Sequence, residues 1–313
     1  MNSLQTTTNQ AGSITAQQDI TEALYTRFLA YLDAKPKTIQ TYTRALRQLL
    51  LYFSSGNITQ PSRADILAFR EGLQAGHKPA TIQSYIAATR MFFRWLEQEG
   101  IYPNIADRVK GATISREHKR DYLTSKQVKA VMDGVDRGTL RGLRDYAILA
   151  LMVTGGLRTV EVSRADIGDL RTAGDNPVLY IQGKGQDEKA EYVKLQAKVE
   201  RSIRDYLQAR RQTSQDAPLF ASLSNNSAGA RLTTRSISGI VKGRFKSAGY
   251  DSDKLTAHSL RHTAVTLSLL AGKHLEEVQQ FARHANITTT QIYNHSLDRA
   301  QNSCGEAIAA AIF

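Results

Sequence analysis

Four short stretches in the second half of the chain hold residues whose types suit chemistry on a phosphate. Arg158 follows an apolar run and a Gly-Gly pair in TGGLRTVEV, with Glu161 three residues on. Lys184 lies between two glycines in the alternating stretch NPVLYIQGKGQDEKAEYVKL. His258 and Arg261 are three apart in LTAHSLRHT, a spacing that puts both on one helical face. Tyr293 stands nine positions after His284 in HANITTTQIYNH. An arginine donates two parallel hydrogen bonds to a phosphate and stays charged at any working pH. Two arginines can hold both non-bridging oxygens of one phosphodiester and stabilise the charge added as phosphorus becomes five-coordinate. A tyrosine can then be the nucleophile. Its ordinary pKa of about 10 leaves it protonated, so it needs a nearby base and a positive field. A lysine on a hairpin tip can protonate the departing oxygen.

Each residue also has a plainer role when taken alone. A His–Arg pair commonly marks a solvated helix face, Arg158 a helix start after a glycine turn, and Lys184 a tip charge. Tyr293 alone reads as a core aromatic. Their order along the chain is what favours a shared purpose. Lys189 and Lys194 share the hairpin with Lys184, and Lys189 is a second choice for the acid. His262 and His295 read as structural. Competing chemistries find little support: there is no Cys/His ligand spacing, no carboxylate cluster for magnesium, and no P-loop.

The chain around these residues is long enough, at 313 residues, for two domains with their own cores. Lys plus Arg number 41 against 29 for Asp plus Glu, a net charge of +12. That balance favours a polyanionic partner, nucleic acid first and an anionic membrane second. The single cysteine, Cys304, excludes an intramolecular disulfide and fits a reducing compartment. The polar opening lacks the pattern of a signal peptide, and no apolar run reaches the roughly 20 residues of a membrane span. The expectation is a soluble, cytoplasmic protein.

Residues 1–18 read as a polar arm, 19–108 as an all-helical domain, 109–122 as a linker, and 123–313 as a mainly α domain with a small antiparallel β element. The helical domain contains an echo: KPKTIQTYTRALRQLLLYF from Lys35 resembles KPATIQSYIAATRMFFRWL from Lys78. Both copies carry an apolar stripe at helical spacing and basic residues outside it. Ser62 with Asp65, and Thr124 with Gln127, have the spacing of helix capping boxes.

TGGLRTVEV, GKG, HSLRHT and HANITTTQIYNH, in that order, resemble the tyrosine recombinase or phage-integrase family, and TIQSYIAATRMFFRWL resembles its helical core-binding, SAM-like domain of the Xer type. The likeness covers roughly residues 20 to 313. It implies a C-shaped clamp in which a helical domain and a mostly α catalytic domain close on duplex DNA. It assigns Arg158 and Arg261 as the catalytic arginines, Lys184 as the acid for the 5′ oxygen, and His258 as a helper in moving the tyrosine proton. His284 takes the position that bonds the scissile phosphate, Tyr293 is the nucleophile, and Glu161 orients side chains.

The implied reaction makes a 3′-phosphotyrosyl link and a free 5′-hydroxyl, and it is reversed by a partner strand. Bond energy is kept in the link, so no cofactor, ATP or metal is expected. The implied partners are double-stranded DNA with short inverted core sites and three further copies of the chain, a homotetramer on two duplexes. The apolar tail would dock on a neighbour. Site-specific recombination at the nucleoid (integration, excision, inversion or resolution), by a prokaryotic or mobile-element encoded protein, is the leading reading. A type IB topoisomerase and a catalytically silent DNA-binding protein of the same fold are the alternatives. Gly155 and Arg283 depart from the family's usual residues, and Arg283 stands where many relatives have glycine.

Overall fold

The computed structural model describes residues 20–113, 121–183, 185–300 and 304–312, and of 295–300 and 304–307 it describes only the backbone. Lys184 and residues 114–120 lie outside the described residues. The chain divides into two compact units, Met1–Ser115 and Arg116–Phe313.

The first unit is helical: α1 (Glu22–Tyr31), α2 (Pro36–Ser55), α3 (Arg63–Gly72) and α4 (Pro79–Gln98). The two echoed segments are α2 and α4. Each begins with an extended lysine N-cap followed by proline in the first turn. Proline suits that turn because its missing N–H would have no helical partner anyway, and it forces the preceding residue to stay extended. Leu46, Leu49 and Phe53 of α2 and Ile82, Phe92, Phe93 and Leu96 of α4 are buried in one core. Phe28 of α1 joins them, edge-on to Phe92 at 5.3 Å. Ser62 and Asp65 form the expected cap, the Ser62 N–H donating to Asp65 Oδ2 at 2.7 Å. Val109, at the start of the stretch that reads as linker, is buried in this same core.

The second unit is built on α6 (Leu140–Gly155), whose residues 147–152 are all buried. Such a helix is apolar all round and must be covered on every side. It is covered by α8 (Ala197–Arg210), α9 (Thr234–Ser247) and α10 (Ala257–Leu270), with α5 (Ser125–Asp133) and α7 (Thr159–Arg164) alongside. The β element is a sheet in the order β1 (Leu170–Ala173), β2 (Asn176–Ile181), β3 (Glu191–Lys194), antiparallel throughout. Leu170 pairs with Leu179, and Leu179 with Val193. α11 (Leu275–Ala282), α12 (Ile287–Ala300) and α13 (Cys304–Ile312) complete the unit. The fold is mainly α with one small antiparallel sheet. Among the described residues no helix is long and apolar enough to cross a membrane.

One buried polar knot ties α6 to α9. Asp145 is almost fully buried and accepts from Arg144 at 2.8 Å and from Arg244 Nη2 at 2.6 Å. Removing the carboxylate would take the shared partner from buried Arg144, which keeps only the Ala221 carbonyl, and from half-buried Arg244. Asp145→Ala should therefore cost about 3–5 kcal/mol. Urea denaturation of the full chain measures this, and a loss below 1 kcal/mol would show that the knot is dispensable.

Candidate active site

α6 ends at Gly156, whose left-handed backbone (φ 59°) reverses the chain. A Cβ there would stand 3.2 Å from the ring of Phe281, so the turn also needs the space that glycine leaves. Leu157 then plugs into the core, and Arg158 becomes the extended N-cap of α7. Glu161, in the first turn of α7, folds back on it. The Arg158 N–H donates to Glu161 Oε2 at 2.8 Å, and Arg158 Nη1 donates to Oε1 at 2.8 Å. One carboxylate thus caps the helix and orients the arginine. Glu161 is fully buried, while Arg158 keeps about a quarter of its side chain exposed, at 26%.

α10 brings the second arginine to the same turn. Its first turn is capped by Thr256, with His258 exposed and Arg261 buried one turn later. Arg261 is the bulkiest fully buried side chain among the described residues. Its Nη1 donates to the Gly156 carbonyl at 2.6 Å, and its Nη2 to the carbonyl of Ala282. The residue after Ala282 is Arg283, at the left-handed C-cap of α11. Its carbonyl accepts from Arg158 Nη2 at 3.5 Å. Arg283 Nη2 donates to Glu161 Oε2 at 3.1 Å and to the Gly156 carbonyl at 3.3 Å. Positions 282 and 283 therefore anchor both Arg158 and Arg261.

His284 comes next. Its Nδ1 lies 2.9 Å from the hydroxyl of buried Thr290, and its ring stacks on Tyr293 with centroids 6.2 Å apart. The Tyr293 ring is buried against Val265, Val278 and Ala282. His262 also lies edge-on to it at 5.0 Å, and His258 lies edge-on to His262 at 4.9 Å. Tyr293 is thus a packed aromatic and a neighbour of the histidine and arginine cluster at once. The structure brings together Arg158, Glu161, His258, Arg261, His284 and Tyr293. Position 184 is not described, but its neighbours Gly183 and Gln186 line an open cleft of about 530 Å³ together with Arg158, Gln279, Arg283 and His284.

Lys189 is engaged elsewhere. Its ammonium contacts Asp166 at 2.7 Å and Asp169 at 2.5 Å. Burial pulls its proton affinity down, but the hydrogen bonds and charges of those two carboxylates outweigh it and raise the pKa. A raised, paired ammonium is a poor proton donor. Lys189 is placed to fasten the hairpin to the segment before β1. Thr290 and His262 also stand in this cluster, against His284 and Tyr293 respectively. The signal for Thr290 was its spacing, three residues before Tyr293 on one helix. Among the described residues, no group of three or more His, Cys, Asp or Glu is placed to hold a metal ion.

Three guanidiniums against one carboxylate make the cluster strongly positive. Burial, then the charges of Arg261, Arg158, Arg283 and His258, push the His284 pKa down to about 4. Burial and the Arg158 charge lower Arg261 to about 9, so it stays cationic at neutral pH. His284 is therefore a neutral imidazole in working conditions. Because its folded value lies below the ordinary 6.5, the unfolded chain takes up this proton first. Its contribution to stability is constant above pH 6.5, declines as pH falls towards 4, and levels off below that. NMR titration of the His284 ring should give a midpoint near 4, and a midpoint near 6.5 would contradict the buried cationic setting.

Residues 121–300 match the Phage integrase family, and residues 24–100 match the Phage integrase N-terminal SAM-like domain. The chain is 34% identical over 275 residues to tyrosine recombinase XerC of Pelobacter propionicus, covering 85% of this chain and 87% of that protein. Among solved structures, the fold is similar to that of the XerH site-specific recombinase bound to palindromic difH substrate in a post-cleavage complex. That similarity has a TM-score of 0.72 at 23% identity, covering 95% of this chain and 86% of that one. A lambda integrase tetramer bound to a Holliday junction is similar at TM-score 0.62 and 14% identity, covering 85% of this chain and 77% of that one. With both units matched in order and a relative above 30% identity along most of its length, the chain belongs to the phage integrase family of tyrosine recombinases.

Proposed function

We propose that this chain is a site-specific DNA recombinase that cuts and rejoins strands through Tyr293. The observation that carries the reading is the convergence on three consecutive residues. Arg261 and Arg158 are held by the carbonyls of Ala282 and Arg283, and His284, the next residue, stacks on Tyr293. Groups 135 positions apart in sequence, from Arg158 to Tyr293, thus share one small space.

In the proposed step, Arg158 and Arg261 hold the non-bridging oxygens of a DNA phosphodiester. Tyr293 Oη attacks phosphorus and a P–Oη bond forms. The P–O5′ bond breaks, leaving a 3′-phosphotyrosyl link and a 5′-hydroxyl. The tyrosine proton leaves towards the His258 and His262 side, and Lys184 supplies a proton to the departing O5′. In the tautomer whose Nδ1 accepts from the Thr290 hydroxyl, neutral His284 carries its proton on Nε2 and donates it to the phosphate. The 5′-hydroxyl of a partner strand then attacks the link and frees Tyr293. The arginine charges act most strongly where charge builds up in the five-coordinate state, which is where catalysis is won.

The relatives compared above are recombinases and an integrase, which disfavours a type IB topoisomerase or a silent DNA-binding protein. Duplex DNA as partner is supported by the net charge of +12 and by exposed Arg44, Arg47 and Arg94 on the helical unit. We assign DNA core binding to residues 19–108 and catalysis to 123–313. We further propose short inverted core sites and four copies on two duplexes, joined by tail docking. Exposed Ile308 and Ile312 on α13 support the docking, since an apolar helix face at 59% and 68% exposure is unfavourable in water.

Nicked DNA carrying candidate sites tests the reaction. Incubation should give a denaturant-resistant adduct with the wild-type chain and none with Tyr293→Phe. Arg158→Ala should slow cleavage about 100- to 1,000-fold with a much smaller change in DNA affinity. Equal losses in both would reduce Arg158 to a DNA-binding role. Deleting 304–313 should spare binding to a single site but weaken assembly of two sites on native gels. Unchanged assembly would remove the docking proposal.

A further inference from the structure

Arg283 brings a third guanidinium to the site, from the C-cap of α11. Its backbone is left-handed, at φ 53°. Glycine adopts that conformation freely and an arginine does not. An arginine at this position therefore needs compensating interactions, and it has four. Its guanidinium donates to the carbonyls of Phe281 at 3.0 Å, Gly155 at 3.3 Å and Gly156 at 3.3 Å, and to Glu161 Oε2 at 3.1 Å. Its side chain is only 10% exposed, although it extends to the wall of the open cleft.

We propose that Arg283 is a positioning residue for the cleavage step, bracing Glu161 and the Gly155–Gly156 turn so that Arg158 and Arg261 face the phosphate, while adding a third positive charge behind them. This rests on the recombinase reading above.

The bonding pattern supports it. Glu161 has two oxygens: Oε1 takes the Arg158 guanidinium, and Oε2 takes both the Arg158 N–H and Arg283. The Gly156 carbonyl takes both Arg261 and Arg283. The three guanidiniums are cross-linked through one carboxylate and one carbonyl. If Arg283 is removed, Glu161 neutralises Arg158 alone and one charge of the cluster disappears. A phosphodiester carries one negative charge and its five-coordinate state carries more, so a third cation favours the second over the first. Poor exposure keeps salt from screening that charge. The Arg283 Nε–H is buried with no partner among the described residues.

The test uses the full chain with Arg283→Met, which keeps length and removes charge, Arg283→Lys, which keeps charge without the fork, and Arg283→Gly, which relieves the backbone. On nicked DNA, Arg283→Met should cut the single-turnover cleavage rate about 10- to 100-fold while DNA Kd moves less than about threefold. Arg283→Lys should recover part of the rate. In DNA-free protein, the His284 NMR midpoint should rise in Arg283→Met. The other groups facing His284 are Arg158, Arg261, His258, Thr290 and Tyr293, and all of them are unchanged in that variant. The proposal is overturned if Arg283→Met or Arg283→Gly cleaves at the wild-type rate, or if rate and affinity fall together. Absence of any adduct with the wild-type chain would sink the recombinase reading instead. In that event an unmoved His284 midpoint in Arg283→Met also overturns the role of Arg283.

Discussion

The site depends on one buried carboxylate. Glu161 is completely enclosed, and an ionised carboxylate in that setting is tolerable only when its oxygens are loaded with donors. The donors are Arg158 through both side chain and backbone, and Arg283 from across the unit. This requirement ties the start of α7 to the end of α11. It fixes the fork of Arg158, places Arg283 against the Gly155–Gly156 turn, and so sets the carbonyl that Arg261 binds.

The cost of this arrangement is a cluster of like charges in a poorly solvated place. Mutual repulsion among three guanidiniums is offset by one carboxylate and by backbone carbonyls at Gly155, Gly156, Phe281 and Ala282. Burial, together with the same field, keeps His284 neutral. It also gives the neighbourhood of the Tyr293 phenol a standing preference for negative charge. A site built this way holds its dipoles and charges in place before the substrate arrives, so little reorganisation is needed when a phosphate enters. The hairpin has its own anchor, Lys189 between Asp166 and Asp169, with Arg231 also bound to Asp166.

Local features of the fold were legible wherever the determining residues are close in sequence. The caps at Ser62 and Thr124, the proline starts of α2 and α4, and the hairpin of β2 and β3 all follow from turn chemistry and periodicity within a few residues. The reading fell short where the partner is distant. Val109 sits in a stretch without periodicity, yet it is buried because the first unit's core extends to it. Lys189 remained a second choice beside Lys184 on the hairpin, because nothing in the local sequence reveals that Asp166 and Asp169 reach Lys189.

By itself, the sequence determined the residue types and their order: two arginines, a lysine, two histidines and a tyrosine on segments of known helical or hairpin character. Those are properties of side-chain chemistry and short-range backbone preference. Only the tertiary structure decided that Arg283 shares Glu161 with Arg158, that Arg261 is buried against the Gly156 turn, and that Tyr293 packs against both His262 and His284. These contacts join positions up to 122 residues apart. They arise because burying the apolar faces of α6, α10 and α11 leaves the polar groups at their ends no water to bind, so those groups must satisfy one another.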